Sequence, residues 1–230
     1  MILHHYRRTA LFGVFALAVF MAAAASSSSQ AALILGDPVL LSTLHDNPNG
    51  VIIVGDKRFS NFNYTAVGDM PGADRVNVTP IRDDLGHLGV RFTGPFIDLV
   101  GNGGSDATIT FQVDVLGSGM LINDVHLSGN PNVLGDGGSA SVTETFAGQN
   151  ILLDIYDDFG NLKLIDWADL AAPVRTLHVH KDILLFGQTG SATISIIDQT
   201  FSQIPEPAAA LLAIIGLVAG LGVRRRAKLA

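Results

Sequence analysis

Cysteine is absent from this 230-residue chain, so no disulfide framework, thiolate metal site or thiol nucleophile is available. Glutamate is nearly absent: Glu144 is the only one between residues 32 and 204, and a carboxylate pair for glycoside hydrolysis would have to use aspartates. Tryptophan occurs once and tyrosine three times, so an aromatic binding platform has few candidates. Basic residues are scarce where they would matter. Six of the 14 (Arg7, Arg8, Arg224, Arg225, Arg226, Lys228) and only one of the 21 acidic residues (Glu206) lie outside residues 32–204, leaving that body with 8 basic and 20 acidic side chains, a formal charge of −12. Nucleic-acid binding needs a basic footprint, and this body has the opposite. No Gly-x-Ser-x-Gly elbow is present, and the glycine-rich stretches precede strand-like rather than helix-like segments, so no enzyme activity is expected.

What is present is concentrated first at the two ends. Arg7 and Arg8 precede an apolar run from Ala10 to Ala25, followed by Ser26 to Ser29, Gln30 and Ala31. A positive start, a short apolar core and small residues at the exit are the three regions of a secretory signal, with cleavage expected after Ala31. Arg7-Arg8-Thr9-Ala10-Leu11 has no aromatic after the arginine pair, which favours ordinary secretion over the twin-arginine route. Signal peptidase and the secretion machinery are therefore expected partners.

At the other end, Ile204-Pro205-Glu206-Pro207 leads into an uncharged stretch, Ala208 to Val223, closed by Arg224, Arg225, Arg226 and Lys228. Sixteen residues of helix reach about 24 Å at ~1.5 Å each, slightly short of a ~30 Å hydrocarbon core but tolerable with snorkelling basic side chains. The basic cluster prefers the cytoplasmic side, so both ends agree that the body between them is exported.

Pro-Glu-Pro, one apolar segment and a terminal arginine cluster resemble the PEP-CTERM sorting signal of Gram-negative-type bacteria. The resemblance covers about the last 25 residues. It implies that Pro205, Glu206 and Pro207 form the recognition element for a membrane-embedded exosortase. It also implies that Ala208 to Val223 holds the protein in the membrane and that Arg224, Arg225 and Arg226 stop transfer. The block Gly55 to Phe62 and the segment Ser191 to Gln203 are similar to parts of other proteins with such tails, without implying an activity.

Within the body, strand signals dominate. Thr108 to Val115 alternates, with Ile109, Phe111, Val113 and Val115 on one face and Thr108, Thr110, Gln112 and Asp114 on the other, the period of a strand wetted on one side. Val51 to Val54, Ser141 to Phe146, Ile151 to Tyr156, Arg175 to Phe186 and Ala192 to Ile197 read similarly. Three glycine-rich turns, Gly101 to Ser105, Gly135 to Ser139 and Gly187 to Ser191, each feed a β-branched segment without a fixed repeat period. Only Leu162 to Ala172 reads as a short helix. The expected fold is all-β: eight to twelve short strands in an antiparallel, jelly-roll-like β-sandwich over residues 32–203. The signal peptide (1–31) and the sorting tail (204–230), with a transmembrane helix over 208–223, flank it.

Candidate chemistry is sparse. His178, His180 and Asp182 fall on one face of an expected strand and would suit a metal or acid–base group, although a solvated strand face explains them more simply. Asp154, Asp157 and Asp158, followed by Gly160-Asn161, form an oxygen-rich turn that would suit calcium, as does Asp46 to Gly50; plain turn chemistry is the simpler reading of both. Trp167, flanked by Asp166 and Asp169, is the candidate for stacking on a sugar ring, with Tyr64 and Tyr156 as other available aromatics. The function expected from the whole is an exported structural protein of the cell surface or extracellular matrix. The alternative is a glycan- or calcium-binding module on the same sandwich, with extracellular polysaccharide as partner.

Overall fold

The computed structural model describes residues 32–101 and 103–206. The expected signal peptide (1–31), Pro207, Ala208 to Val223 and the arginine cluster lie outside the described residues. In chain order the strands are β1 (Leu33–Ile34), β2 (Val39–Leu40), β3 (Ile52–Val54), β4 (Lys57–Val67), β5 (Asn77–Arg82), β6 (Leu88–Leu99), β7 (Gly104–Val115), β8 (Met120–Gly129), β9 (Asn132–Leu134), β10 (Ser139–Phe146), β11 (Leu152–Asp158), β12 (Asn161–Lys163), β13 (Ile165–Val174), β14 (Thr176–Phe186) and β15 (Ser191–Pro205). One turn of helix, α1 (Leu41–Leu44), and one 3-10 turn (Ala73–Arg75) interrupt them. Among the described residues no helix is long and apolar enough to cross a membrane.

The strands form two sheets, and every pairing is antiparallel. The eight-stranded sheet runs β1-β5-β6-β15-β8-β13, with β2 on β5 and β9 on β15. The seven-stranded sheet runs β12-β11-β10-β14-β7-β4-β3. The all-β sandwich expected from alternation is what the chain forms. Ala107, Ile109, Phe111, Val113 and Val115 of β7 all point inward and are buried.

Phenylalanines join the sheets. Phe59, Phe62 and Phe111 come from the seven-stranded sheet, Phe92 and Phe201 from the other. Phe111 lies 5.6 Å from Phe62, 5.8 Å from Phe92 and 6.1 Å from Phe59, and Phe59 lies 5.9 Å from Phe201. Truncating any one of these rings to alanine removes about 3–5 kcal/mol of stability. Close strand approach also has a sequence requirement. A Cβ on Gly89 would come within 1.8 Å of the Gln199 carbonyl oxygen, so only glycine lets β6 meet β15 there.

The three glycine-rich turns lead into β7, β10 and β15 as expected, with positive φ at Gly101, Gly103, Gly135 and Gly137. Two of them share an anchor that the sequence did not advertise. The buried Asp98 carboxylate accepts the Ser105 hydroxyl at 2.5 Å and the Gly187 N–H at 2.6 Å.

The expected helix over Leu162 to Ala172 is not formed. Those residues make β12 and most of β13, and β13 pairs with β8 from Ile165 to Val174. The register shifts between Asp169 and Val174, which breaks the alternation. As an edge strand, β13 also has few fully buried positions to display a period of two. The strand number is also higher than expected, because short strands such as β9, paired to β15, and β12, at the end of the other sheet, are added to the long ones.

Candidate functional site

The pairing of β13 with β8 determines where Trp167 lies. It is not on a surface helix but on the outer face of the eight-stranded sheet, 60% exposed, directly opposite His126 of β8 in register. Continuing across the sheet, His126 pairs with Thr200 of β15, and Thr200 with Gly89 of β6. A threonine and a glycine leave little side chain on this row. Into that space folds His87, from the turn between β5 and β6. The His87 and His126 rings lie 4.6 Å apart at 36°, and the His126 and Trp167 rings 6.2 Å apart at 18°. Three rings thus cross the face in a line, ending in an exposed indole.

Carboxylates fix the two imidazoles. Asp83 is the hub of the β5–β6 turn: one oxygen accepts the N–H groups of Leu85 (3.0 Å) and His87 (2.8 Å), the other lies 3.0 Å from His87 Nδ1 and accepts the Thr200 hydroxyl at 2.8 Å. Asp124, one row along the face, lies 2.8 Å from His126 Nε2 and accepts the Ser202 hydroxyl. Burial alone would raise the Asp124 carboxyl, but the Ser202 hydroxyl and the His126 ring, with Asn123, more than offset it and hold it below its ordinary range. Asp169 pairs with Asp124 in register and is exposed beside Trp167. The resulting surface offers one open π-face, two oriented imidazoles, carboxylates and hydroxyls. Aromatic faces take the C–H side of a sugar ring, while such polar groups take its hydroxyls. Sequence reading found Trp167 but missed His126 and His87, which only strand register and the Asp83 turn bring to it.

The other expected groups go elsewhere. His178, His180 and Asp182 do share the outer face of β14, as their spacing implied, on the opposite sheet. The two histidines line an open cleft of about 430 Å³ with Asn61, Thr110 and Thr145. Asp182 lies diagonally across the strand pair from Asp106, whose carboxyl is raised by its partial burial and by that neighbouring charge. Asp154 is bound to Lys163 Nζ at 2.5 Å, and Asp166 caps the free Asp154 N–H on the strand edge at 2.9 Å. Asp157 accepts the Val133 N–H at 2.9 Å, and Asp158 is exposed at the end of β11. Of the aspartates proposed for calcium, Asp154 is thus engaged by a lysine and Asp157 by backbone amides, and among the described residues no group of three or more His, Asp or Glu side chains is arranged to hold a metal. Tyr64 is buried, donates to the Pro71 carbonyl at 2.7 Å, and is pushed up to about 12 by burial. Tyr156 is half-buried on β11.

Of the expected sorting motif, Pro205 and Glu206 are described. Pro205 ends β15 opposite Met120, the Glu206 N–H donates to the Gly119 carbonyl at 2.9 Å, and the Glu206 carboxylate is held by Arg175.

No family model and no curated protein matches this chain. Among solved structures it is similar in part to TmCBM61 in complex with beta-1,4-galactotriose, at 14% identity over 62% of this chain and 88% of that one, with a TM-score of 0.24. It is also similar to the enzymatically active domain of bacteriophage CBA120 tailspike protein 4, at 15% identity over 62% of this chain and 20% of that one, TM-score 0.28. A third is the exo-beta-1,3-galactanase of Phanerochaete chrysosporium with galactose, at 10% identity over 65% and 55% of the two chains, TM-score 0.18. With TM-scores this low, none of them bears on the activity of this chain.

Proposed function

We propose that this chain is an exported component of the cell surface or extracellular matrix whose β-sandwich holds a neutral glycan on the Trp167 face, without turning it over. The observation that carries the reading is the ring row itself: an exposed indole continued by His126 and His87, each imidazole set by its own carboxylate. Charge selects the class of glycan. Asp83, Asp124 and Asp169 surround the rings on a strongly acidic body, so uronic or sulfated polymers would be repelled and uncharged hexose polymers favoured.

Export by the N-terminal signal, and sorting by an exosortase acting near Pro205, Glu206 and Pro207, would deliver the sandwich to the compartment where such polymers lie. Affinity electrophoresis of the full chain in gels containing neutral or acidic polysaccharides tests the reading. Neutral gels should retard the wild type and not Trp167→Ala. Equal mobility of both proteins in every gel would remove the glycan assignment.

A further inference from the structure

Three polar side chains meet in the centre of the apolar core. Lys181 of β14, Glu144 of β10 and Gln199 of β15 are each fully buried. Lys181 Nζ donates to Glu144 Oε1 at 2.9 Å and to Gln199 Oε1 at 2.9 Å, bridging the two sheets. Their inward neighbours along the same strands are Val142, Phe146, Val179, Ile183, Ile197 and Phe201, all buried. Two atoms of the group complete no hydrogen bond, Glu144 Oε2 and Gln199 Nε2, although the Gln199 side chain lies near enough to Glu144 to act on its carboxyl. As a device for stability this is a poor arrangement, since apolar side chains of similar volume serve at least as well and leave nothing unpaired. The unpaired atoms are, however, the ones a reaction would use.

We propose that Lys181 and Gln199 become joined by an intramolecular isopeptide bond, with Glu144 carrying the protons. Lys181 Nζ attacks Gln199 Cδ, the Nζ–Cδ bond forms and the Cδ–Nε2 bond breaks. Glu144 gives a proton to the departing Nε2 and takes one from Nζ, so the products are a secondary amide and ammonia, with the glutamic acid regenerated. Nothing outside the chain is consumed. Burial pushes Lys181 down and Glu144 up, against their mutual attraction, which is the direction in which an amine lone pair and a carboxyl proton become available. Oε1 of Gln199 already accepts from Nζ, which places the carboxamide against the nucleophile. The leaving nitrogen is a buried donor that makes no hydrogen bond, so its loss as ammonia removes an uncompensated buried group.

The bond would close an 18-residue separation and tie β14 of one sheet to β15 of the other. In a chain without cysteine, it supplies a covalent staple that no reductant opens. β15 is also the strand that runs into Pro205 and Glu206, so the staple would secure the strand through which any pull on the C-terminal tail reaches the domain.

Mass spectrometry of the purified full chain tests this independently of the glycan reading. The folded wild type should be lighter, by one ammonia, than its own termini predict. Trypsin, which otherwise cuts after Lys181, should leave that bond intact, and fragment ions should place the link between Lys181 and Gln199. Lys181→Arg and Glu144→Gln should show the unmodified mass, and the soluble variants should melt at lower temperature. If a variant does not fold, the wild-type map decides alone. A folded wild type of unmodified mass, cleaved after Lys181, overturns the proposal, as does an ammonia loss mapped to any other residue. A cross-link formed equally fast in Glu144→Gln overturns the role given to Glu144.

Discussion

Arg91 meets Asp198 through two parallel hydrogen bonds, Nε to Oδ1 at 2.6 Å and Nη2 to Oδ2 at 2.7 Å. The two are opposite each other in the β6–β15 register, mostly shielded from water, on the sheet that carries the ring row. A planar fork matches a carboxylate in a way an ammonium does not. Arg91→Lys is therefore expected to lose about 1–3 kcal/mol of unfolding free energy, read as a lower urea midpoint at unchanged slope. A midpoint equal to wild type would show that the fork contributes nothing to the pairing of these central strands.

Asp124 gives the site a pH dependence with a definite sign. Its carboxyl is depressed in the folded protein, so its contribution to stability is fully present above the ordinary aspartate value of about 4. That contribution is lost as pH falls through the lower folded value. Because the same carboxylate holds His126, glycan affinity should fall over the same acidic range. Asp124→Asn should weaken binding at neutral pH by on the order of 1 kcal/mol, roughly fivefold, and flatten that acidic limb. Titrations of both proteins from pH 3 to 7 would show it, and an unchanged acidic limb in the variant would place the dependence elsewhere.

Calcium should leave the domain unaffected, because Asp157 already accepts the Val133 N–H and Asp154 is occupied by Lys163. Thermal melts with millimolar calcium and with chelator should coincide. Asp157→Ala should lower stability by about 1 kcal/mol in both conditions alike through the lost backbone cap. A calcium-dependent rise that Asp157→Ala abolishes would instead assign an ion to this turn.

Replacing Pro205, Glu206 and Pro207 together by alanine should block maturation in the native host. Cell fractionation and intact mass should find the wild type shortened near residue 205 and the variant in the membrane fraction with Arg224, Arg225 and Arg226 retained. Retention of those arginines in both proteins would reduce the tail to an anchor. Glu206→Ala alone also removes the ion pair to Arg175 while leaving Arg175 on the Gly117 carbonyl, so its effect on melting separates docking from sorting.

Sheet-forming segments were legible because their inner faces are apolar at a strict period of two, as in β7, β10 and β14. β13 was not legible: its exposed edge position and broken register blur the alternation, and the run Leu162 to Ala172 then resembles a helix. The buried triad was half legible. Lys181 sits in the inward parity of Leu177, Val179 and Ile183, Glu144 in that of Val142 and Phe146, and Gln199 in that of Ile197 and Phe201. Each is a polar residue at a position of apolar parity, and their meeting depends on how two sheets pack. The same holds for the ring row, since no local pattern links His87, His126 and Trp167.

Trp167 is the only tryptophan of the chain, so its emission reports the proposed site alone. Titrating the full chain with neutral oligosaccharides while following that emission measures binding where it is assigned. A saturable blue shift and intensity change are expected as the exposed indole is covered by a sugar ring, with no response to acidic oligosaccharides. Glycan binding detected by calorimetry with Trp167 emission unchanged, or no binding to any neutral glycan, would contradict this assignment.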